Sequence, residues 1–289
     1  MTSGPTFWSQ IADLPHTLRY VDVGGWRTRV LEIGDGDETI LLLNGTSGHI
    51  EAWTHNIRAL AERYRVIGYD YPGHGYTSLA TEPLEIPDYE VHLLQLLDAL
   101  DLDHVHLLGE SLGGWIGIKF AAAHPERLHS LVLSAPGGRM ISSARVDRVS
   151  PVSSRAVTDP TFENVRARLA VVIHDPEKIT DELVEVRRAI YSREGFPESM
   201  RAIRVLQDPE TRARNQVTDA DYAAIPVPTL VVWTDHEPSG GEDVGRHLAS
   251  LIPKGEFLLI ANAGHWPQWE DPAAFNERAL AFLESQEKK

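Results

Sequence analysis

Residues 107–117 read LLGESLGGWIG. Ser111 follows an apolar run, HVHLL (104–108), precedes an amphipathic stretch, and has Gly109, Gly113 and Gly114 around it. Small residues of this kind make an ordinary strand-to-helix turn. The spacing G-x-S-x-G also describes a sharper turn, in which a serine hydroxyl is presented at the end of a strand and glycines let strand and helix approach closely. Taken alone the spacing decides little, because three small residues fall into it by chance. Its weight depends on whether the rest of the chain supplies a base, an acid and donors for an oxyanion.

Outward from this stretch, short apolar runs alternate with helical patterns. The runs are TRVLEIG (28–34), TILLLN (39–44), RVIGYD (65–70), HVHLLG (104–109), LHSLVLSA (128–135), TLVVWT (229–234) and EFLLIANA (256–263). Helix-like stretches such as WTHNIRALAERY (53–64), YEVHLLQLLDAL (89–100), LGGWIGIKFAAAHP (112–125), EDVGRHLASLI (242–252) and AAFNERALAFLE (273–284) lie between or after them. Continuous apolar strands separated by helices imply a mostly parallel sheet covered on both faces. The first two runs, joined by Gly34-Asp35-Gly36-Asp37, are expected to pair as an antiparallel hairpin. From Arg139 to Asn215 the alternation stops and arginine-rich helical pieces take over. Residues 1–138 and 216–289 are therefore read as one core domain and 139–215 as a helical lid. Ligands of open α/β sheets sit beyond the carboxyl ends of the strands, where such an insertion would cover them.

Composition narrows the function. The 289 residues carry 27 Lys+Arg against 42 Asp+Glu, a formal charge of −15, which disfavours nucleic acid and anionic membranes as partners. The absence of cysteine excludes disulfides, thiolate metal sites and a Cys nucleophile. The N-terminal stretch MTSGPTFWSQIADLPH has no basic segment followed by a long apolar run, and no stretch is long and apolar enough to span a bilayer. A cytoplasmic protein acting on a small molecule, with no membrane partner, is the expectation.

Ser111 needs a base, since a neutral hydroxyl is a poor nucleophile. Of the 13 histidines, His265 follows the last apolar run in IANAGHWPQWEDP (260–272), at the same carboxyl edge as Ser111. His104, His106 and His129 lie in or beside strands, His124 precedes a proline and His74 shapes a loop. No pair has helical metal-ligand spacing flanked by acids, so no metal and no cofactor are expected. The acid belongs after the preceding strand, in TLVVWTDHEPSGG (229–241), which offers Asp235 and Glu237. Oxyanion donors are expected from the backbone of Leu112 and from the loop NGTSGHIEAW (44–53).

With these residues in place the chain resembles the α/β-hydrolase superfamily over nearly its whole length, and within it the meta-cleavage-product hydrolases, which cut carbon–carbon bonds in ring-fission products. The turn GHWPQWE resembles that family's G-H-W-x-Q-W-E, the lid stretch LAVVIHDPEKITDELVEVRRAIYS resembles its lid, and YDYPGHGYTS (69–78) resembles its D-x-x-G-x-G-x-S loop. The resemblance implies an α/β-hydrolase fold with a mostly parallel, eight-stranded sheet and a helical lid. It implies Ser111 as nucleophile or general base, His265 as proton shuttle and Glu237, counted from the strand, as the orienting acid, with Asp235 as the alternative. Position along the loop implies Ser47 as the second oxyanion donor, with Thr46 as alternative, and the resemblance sets Asn44, Gly45, Trp266 and Arg187 against the substrate. The chain departs from the family at Asn44-Gly45-Thr46-Ser47, where the family has H-G-S-G, and at Glu110, where it often has Asn. Relatives are often oligomers, which leaves a homo-oligomer open. A carboxylesterase or lactonase would use the same parts on a C–O bond, and a ligand-binding protein could keep the fold without turnover.

Overall fold

The computed structural model describes residues 6–139 and 143–287. The first five residues of the N-terminal stretch and residues 140–142 of the expected lid lie outside the described residues. Eight strands form one sheet: β1 (His16–Val23), β2 (Trp26–Ile33), β3 (Thr39–Leu43), β4 (Arg65–Tyr69), β5 (Val105–Glu110), β6 (Leu128–Ser134), β7 (Thr229–Thr234) and β8 (Gly255–Ile260). Their spatial order is β1-β2-β4-β3-β5-β6-β7-β8. The β1/β2 and β2/β4 pairs are antiparallel, and every pair from β4 to β8 is parallel.

The expected hairpin between residues 28–34 and 39–44 does not form. β2 pairs with β1 and β4, and β3 lies beyond β4. All five residues of β3 are buried, so TILLL belongs at the centre of a sheet covered on both faces. The hairpin is instead β1/β2, closed through Gly24 and Gly25, both at positive φ (59° and 87°), as a two-residue turn of matching twist requires. β1 carries no apolar run because it is an edge strand with most side chains exposed.

Helices α1 (Phe7–Ile11), α2 (Thr54–Ala61), α3 (Ile86–Ala99) and α4 (Leu112–Ala123) precede the insertion. The insertion between β6 and β7 holds α5 (Ser143–Thr158), α6 (Phe162–Leu169), α7 (Asp181–Tyr191), α8 (Phe196–Ile203) and α9 (Pro209–Asn215). After it come α10 (Asp219–Ala223), α11 (Glu242–Leu251), α12 (Pro267–Glu270) and α13 (Pro272–Glu287). The sheet has two apolar faces because neighbours along a strand point to opposite sides. Leu41, Leu43, Leu107, Leu131, Leu133 and Val231 share a core with α3, α4 and the insertion. Ile40, Leu42, Leu108, Val132, Leu230 and Val232 pack on the other side with Phe7, Ile57, Phe275 and Phe282. α4 is buried on almost every side rather than amphipathic, since it is sandwiched between sheet and insertion.

A buried ionic group holds the loops beside the strand ends. Arg29 Nη2 donates to Glu51 at 2.7 Å and its Nη1 to Asp70 at 3.3 Å, while Asp70 also accepts from the backbone of Ile50 and Tyr76 at 2.9 Å each. No helix among the described residues is long and apolar enough to cross a membrane.

Candidate active site

Ser111 ends the run of β5 and opens α4 at φ 52°, ψ −107°, a conformation that an L residue adopts only when its surroundings over-determine it. The surroundings do so. Ser111 N–H donates to Ser134 O at 3.0 Å, while Ser111 O accepts from Trp115 N–H at 3.0 Å and Gly137 N–H at 2.8 Å. The glycines are required by proximity. A Cβ on Gly109 would lie 2.5 Å from the Gly113 backbone, and one on Gly113 would lie 2.6 Å from Leu43. The strain aims the hydroxyl away from the strand, at the carboxyl edge of the sheet.

His265 sits at that edge after β8, its backbone N–H held by Val172 O of the insertion at 2.7 Å. Its Nε2 lies 2.9 Å from Ser111 Oγ and its Nδ1 lies 2.7 Å from Glu237 Oε2. Glu237 is buried, and its Oε1 accepts from Ser239 N–H at 2.9 Å and from the Ser239 hydroxyl. Asp235 takes no part in this chain. It is exposed and accepts from Asn262 N–H at 3.0 Å, fixing the turn that leads to His265.

A cavity of about 460 Å³ opens on these groups, and its wall includes Gly45, Thr46, Glu110, Ser111, Leu112, His265 and Trp266. Leu112 is the first residue of α4, whose N–H has no intrahelical acceptor. Thr46 faces the cavity, whereas Ser47, at φ 59°, is buried beside it and accepts from the Tyr191 hydroxyl at 3.1 Å. Asn44 is buried and turned from the cavity, donating to Tyr69 O at 3.1 Å. Trp269 is likewise outside the wall, donating to Lys178 O at 2.8 Å and packing on His55.

Arg187 is 1% exposed on α7, yet it is not in the cavity wall. Its guanidinium lies 5.3 Å from the Trp266 ring and donates from Nη1 to the Tyr191 hydroxyl at 3.3 Å, while Nε and Nη2 have no partner. Arg188 points outward to Glu185 at 2.7 Å. The arginines that do reach the wall are Arg139, Arg168 on α6 and Arg212 on α9; Arg168 Nη1 has no partner, and burial pulls the Arg168 pKa down to about 10. Burial alone would raise the Tyr191 phenol, but Arg187 and Arg168 outweigh it and lower the pKa. This side of the cavity is therefore positive.

Sequence reading did not single out Arg168, Ser239 or Glu270. Glu270, the last residue of GHWPQWE, is buried and accepts from Gly264 N–H and His174 N–H at 2.8 Å each and from Asp175 N–H at 3.3 Å. It thereby joins the histidine turn to the insertion. Only its place within the quoted motif signals it.

A strained serine elbow, a base and an acid at one edge of such a sheet define a class, and a profile described as the α/β hydrolase fold matches residues 38–272. The chain belongs to that family. It is 30% identical to a 2-hydroxy-6-oxononadienedioate/2-hydroxy-6-oxononatrienedioate hydrolase of Paraburkholderia phymatum, covering 92% of this chain and 96% of the relative. It is 32% identical to a protein of the same description in Escherichia coli K12, covering 87% and 89%. Among solved structures, a meta-cleavage product hydrolase of Pseudomonas fluorescens superposes with a TM-score of 0.81 at 24% identity, covering 92% of this chain and 97% of that one, a likeness of fold.

Proposed function

We propose that this protein hydrolyses a carbon–carbon bond in a 2-hydroxy-6-oxo-dienoate, a ring-fission product of aromatic degradation. The observation that carries the reading is the continuous hydrogen-bonded chain Ser111–His265–Glu237 opening on a cavity flanked by two buried arginines with unpartnered donors. The relatives' names supply the substrate class.

His265 Nε2 moves a proton from the 2-hydroxyl of the dienol to the carbon next to the 6-carbonyl, giving the keto form. Ser111, its proton passed to His265, then adds to the 6-carbonyl, or activates a water that does so. The amides of Leu112 and Thr46 receive the oxyanion, Thr46 being preferred to Ser47 because it faces the cavity. The bond between the carbonyl carbon and its neighbour breaks, the electron pair leaves as a dienolate, and water releases the carboxylic acid. Glu237 holds the imidazole in the tautomer that leaves Nε2 as the acceptor and stabilises its cation.

The substrate carboxylate lies on the side of the cavity where Arg168 stands in the wall and Arg187, behind the wall beside Trp266 with Nε and Nη2 unpartnered, adds the second positive charge. Arg187→Ala is expected to lower kcat/KM on a 2-hydroxy-6-oxo-dienoate by roughly 10²-fold, and to spare an uncharged aryl ester, because only the dienoate loses a charge partner. Arg188→Ala should be mild on both. Equal losses of the two substrates in Arg187→Ala would make Arg187 a packing residue.

A further inference from the structure

Glu110 ends β5 directly before the strained serine, lines the cavity, and is 1% exposed. Neither of its carboxyl oxygens has a hydrogen-bond partner of good geometry among the described residues, although the Gly45 amide lies close enough to favour the ionised form. Its Oε1 lies 3.7 Å from His265 Nε2, beyond a hydrogen bond, and a Cβ on Gly45 would fall 2.4 Å from its Oε2. The carboxyl therefore fills the space between the base and the loop whose amides face the cavity. An ionised carboxylate there would oppose an oxyanion a few ångströms away and would compete with Glu237 for the histidine cation. A neutral acid has the opposite effect, since it carries an O–H with no acceptor in the protein and a cavity in which an acceptor arrives.

We propose that Glu110 is a catalytic residue that works as the neutral acid, donating a hydrogen bond to the substrate oxygen that gains negative charge, and that its ionisation silences the site as pH rises. Burial is what retains the proton: it raises the carboxyl to about 7 against the pulls of His265, Arg187 and the Gly45 amide, with Glu237 pushing the same way as burial. The charged or titratable groups that face it come from every side, namely His265 after β8, Glu237 after β7, Arg168 on α6, Arg187 on α7 and the Tyr71 phenol after β4. The direction of the pH effect follows. Activity requires the protonated form, so it is lost as pH climbs through Glu110's range.

The inference rests on the serine-hydrolase reading of the site, but not on which bond is cut, because an oxyanion forms on an ester as on a dienoate. The test is therefore the pH profile of kcat/KM on both a 2-hydroxy-6-oxo-dienoate and p-nitrophenyl acetate, for wild type, Glu110→Gln, Glu110→Asn and Glu110→Ala. Both amides donate a hydrogen bond and cannot ionise. At least one should move the alkaline limb upward by more than about one pH unit and keep activity at pH 6 within about tenfold of wild type, whereas Glu110→Ala should lose on the order of 10²-fold, as when an oxyanion donor is removed. On the infrared side, the wild-type minus amide difference spectrum at pH 6 should contain the carbonyl stretch of a protonated carboxylic acid, fading as pH rises. An unmoved alkaline limb in the folded amide variants, a Glu110→Ala enzyme as active as wild type at pH 6, or no acid carbonyl band at pH 6 would each overturn the inference. Turnover of the ester alone, with the limb shifting as described, would reject the dienoate reading and leave Glu110's role standing.

Discussion

Glu237 reaches His265 with one methylene more than an aspartate, and Ser239 absorbs the extra length by fixing the outer oxygen while Oε2 stays 2.7 Å from Nδ1. Two residues earlier, Asp235 is bound to the backbone of the following turn, so the two acids of this loop have separate tasks. Glu237→Gln should therefore lower turnover by on the order of 10⁴-fold, the scale of losing the orienting acid, while Asp235→Asn should act mainly through a looser turn and lose far less. The reverse ranking in steady-state kinetics would move the orienting role to Asp235. At this scale the sequence was readable where chemistry imposes a local pattern. Glycines at 109 and 113 are demanded by close approach, and His265 lies in a compact turn motif. Arg168, Ser239 and the unpartnered state of Glu110 were not readable, because each depends on what a distant segment brings to it.

Among the elements, the histidine turn and the insertion are joined by Glu270, which accepts three backbone N–H groups from both sides, and by the Val172 carbonyl on His265 N–H. Removing the carboxylate strands those donors in a buried place. Glu270→Ala should cost on the order of 2–3 kcal/mol in urea unfolding and reduce kcat as His265 loses its fixed position, the scale expected of hydrogen bonds to a charged group. An unchanged unfolding midpoint would mean that water replaces the carboxylate without loss. The strands of this fold were mostly visible as apolar runs, since burial on both faces removes polar alternation. β1 was invisible for the converse reason: an exposed edge strand needs no apolar run, and the Gly24-Gly25 turn was its only mark. That omission also misassigned the partner of β2.

Across the whole molecule, the sheet supplies serine, base and acid from three strand ends, and the helical insertion supplies cations to the space above them. The chain as a whole is acidic, at −15, so the positive charge at the cavity is local, carried by Arg139, Arg168 and Arg212 in its wall and by Arg187 behind it rather than by net charge. On the proposed reading, this local positive charge selects a carboxylate-bearing substrate over a neutral one. The fold class was legible from the alternation of strands and helices. The cavity was not, because its wall draws on residues from Gly45 to Trp266 that meet only after folding. The decisive measurement is the steady-state turnover of the purified protein on a 2-hydroxy-6-oxo-dienoate beside neutral aryl and alkyl esters, with the products identified. The expected result is kcat/KM on the dienoate of about 10⁴ M⁻¹s⁻¹ or more, at least tenfold above the esters, with a 2-hydroxydienoate and a carboxylic acid released in equal amounts. Brisk hydrolysis of neutral esters together with inertness toward every dienoate would contradict carbon–carbon cleavage and make the protein an esterase.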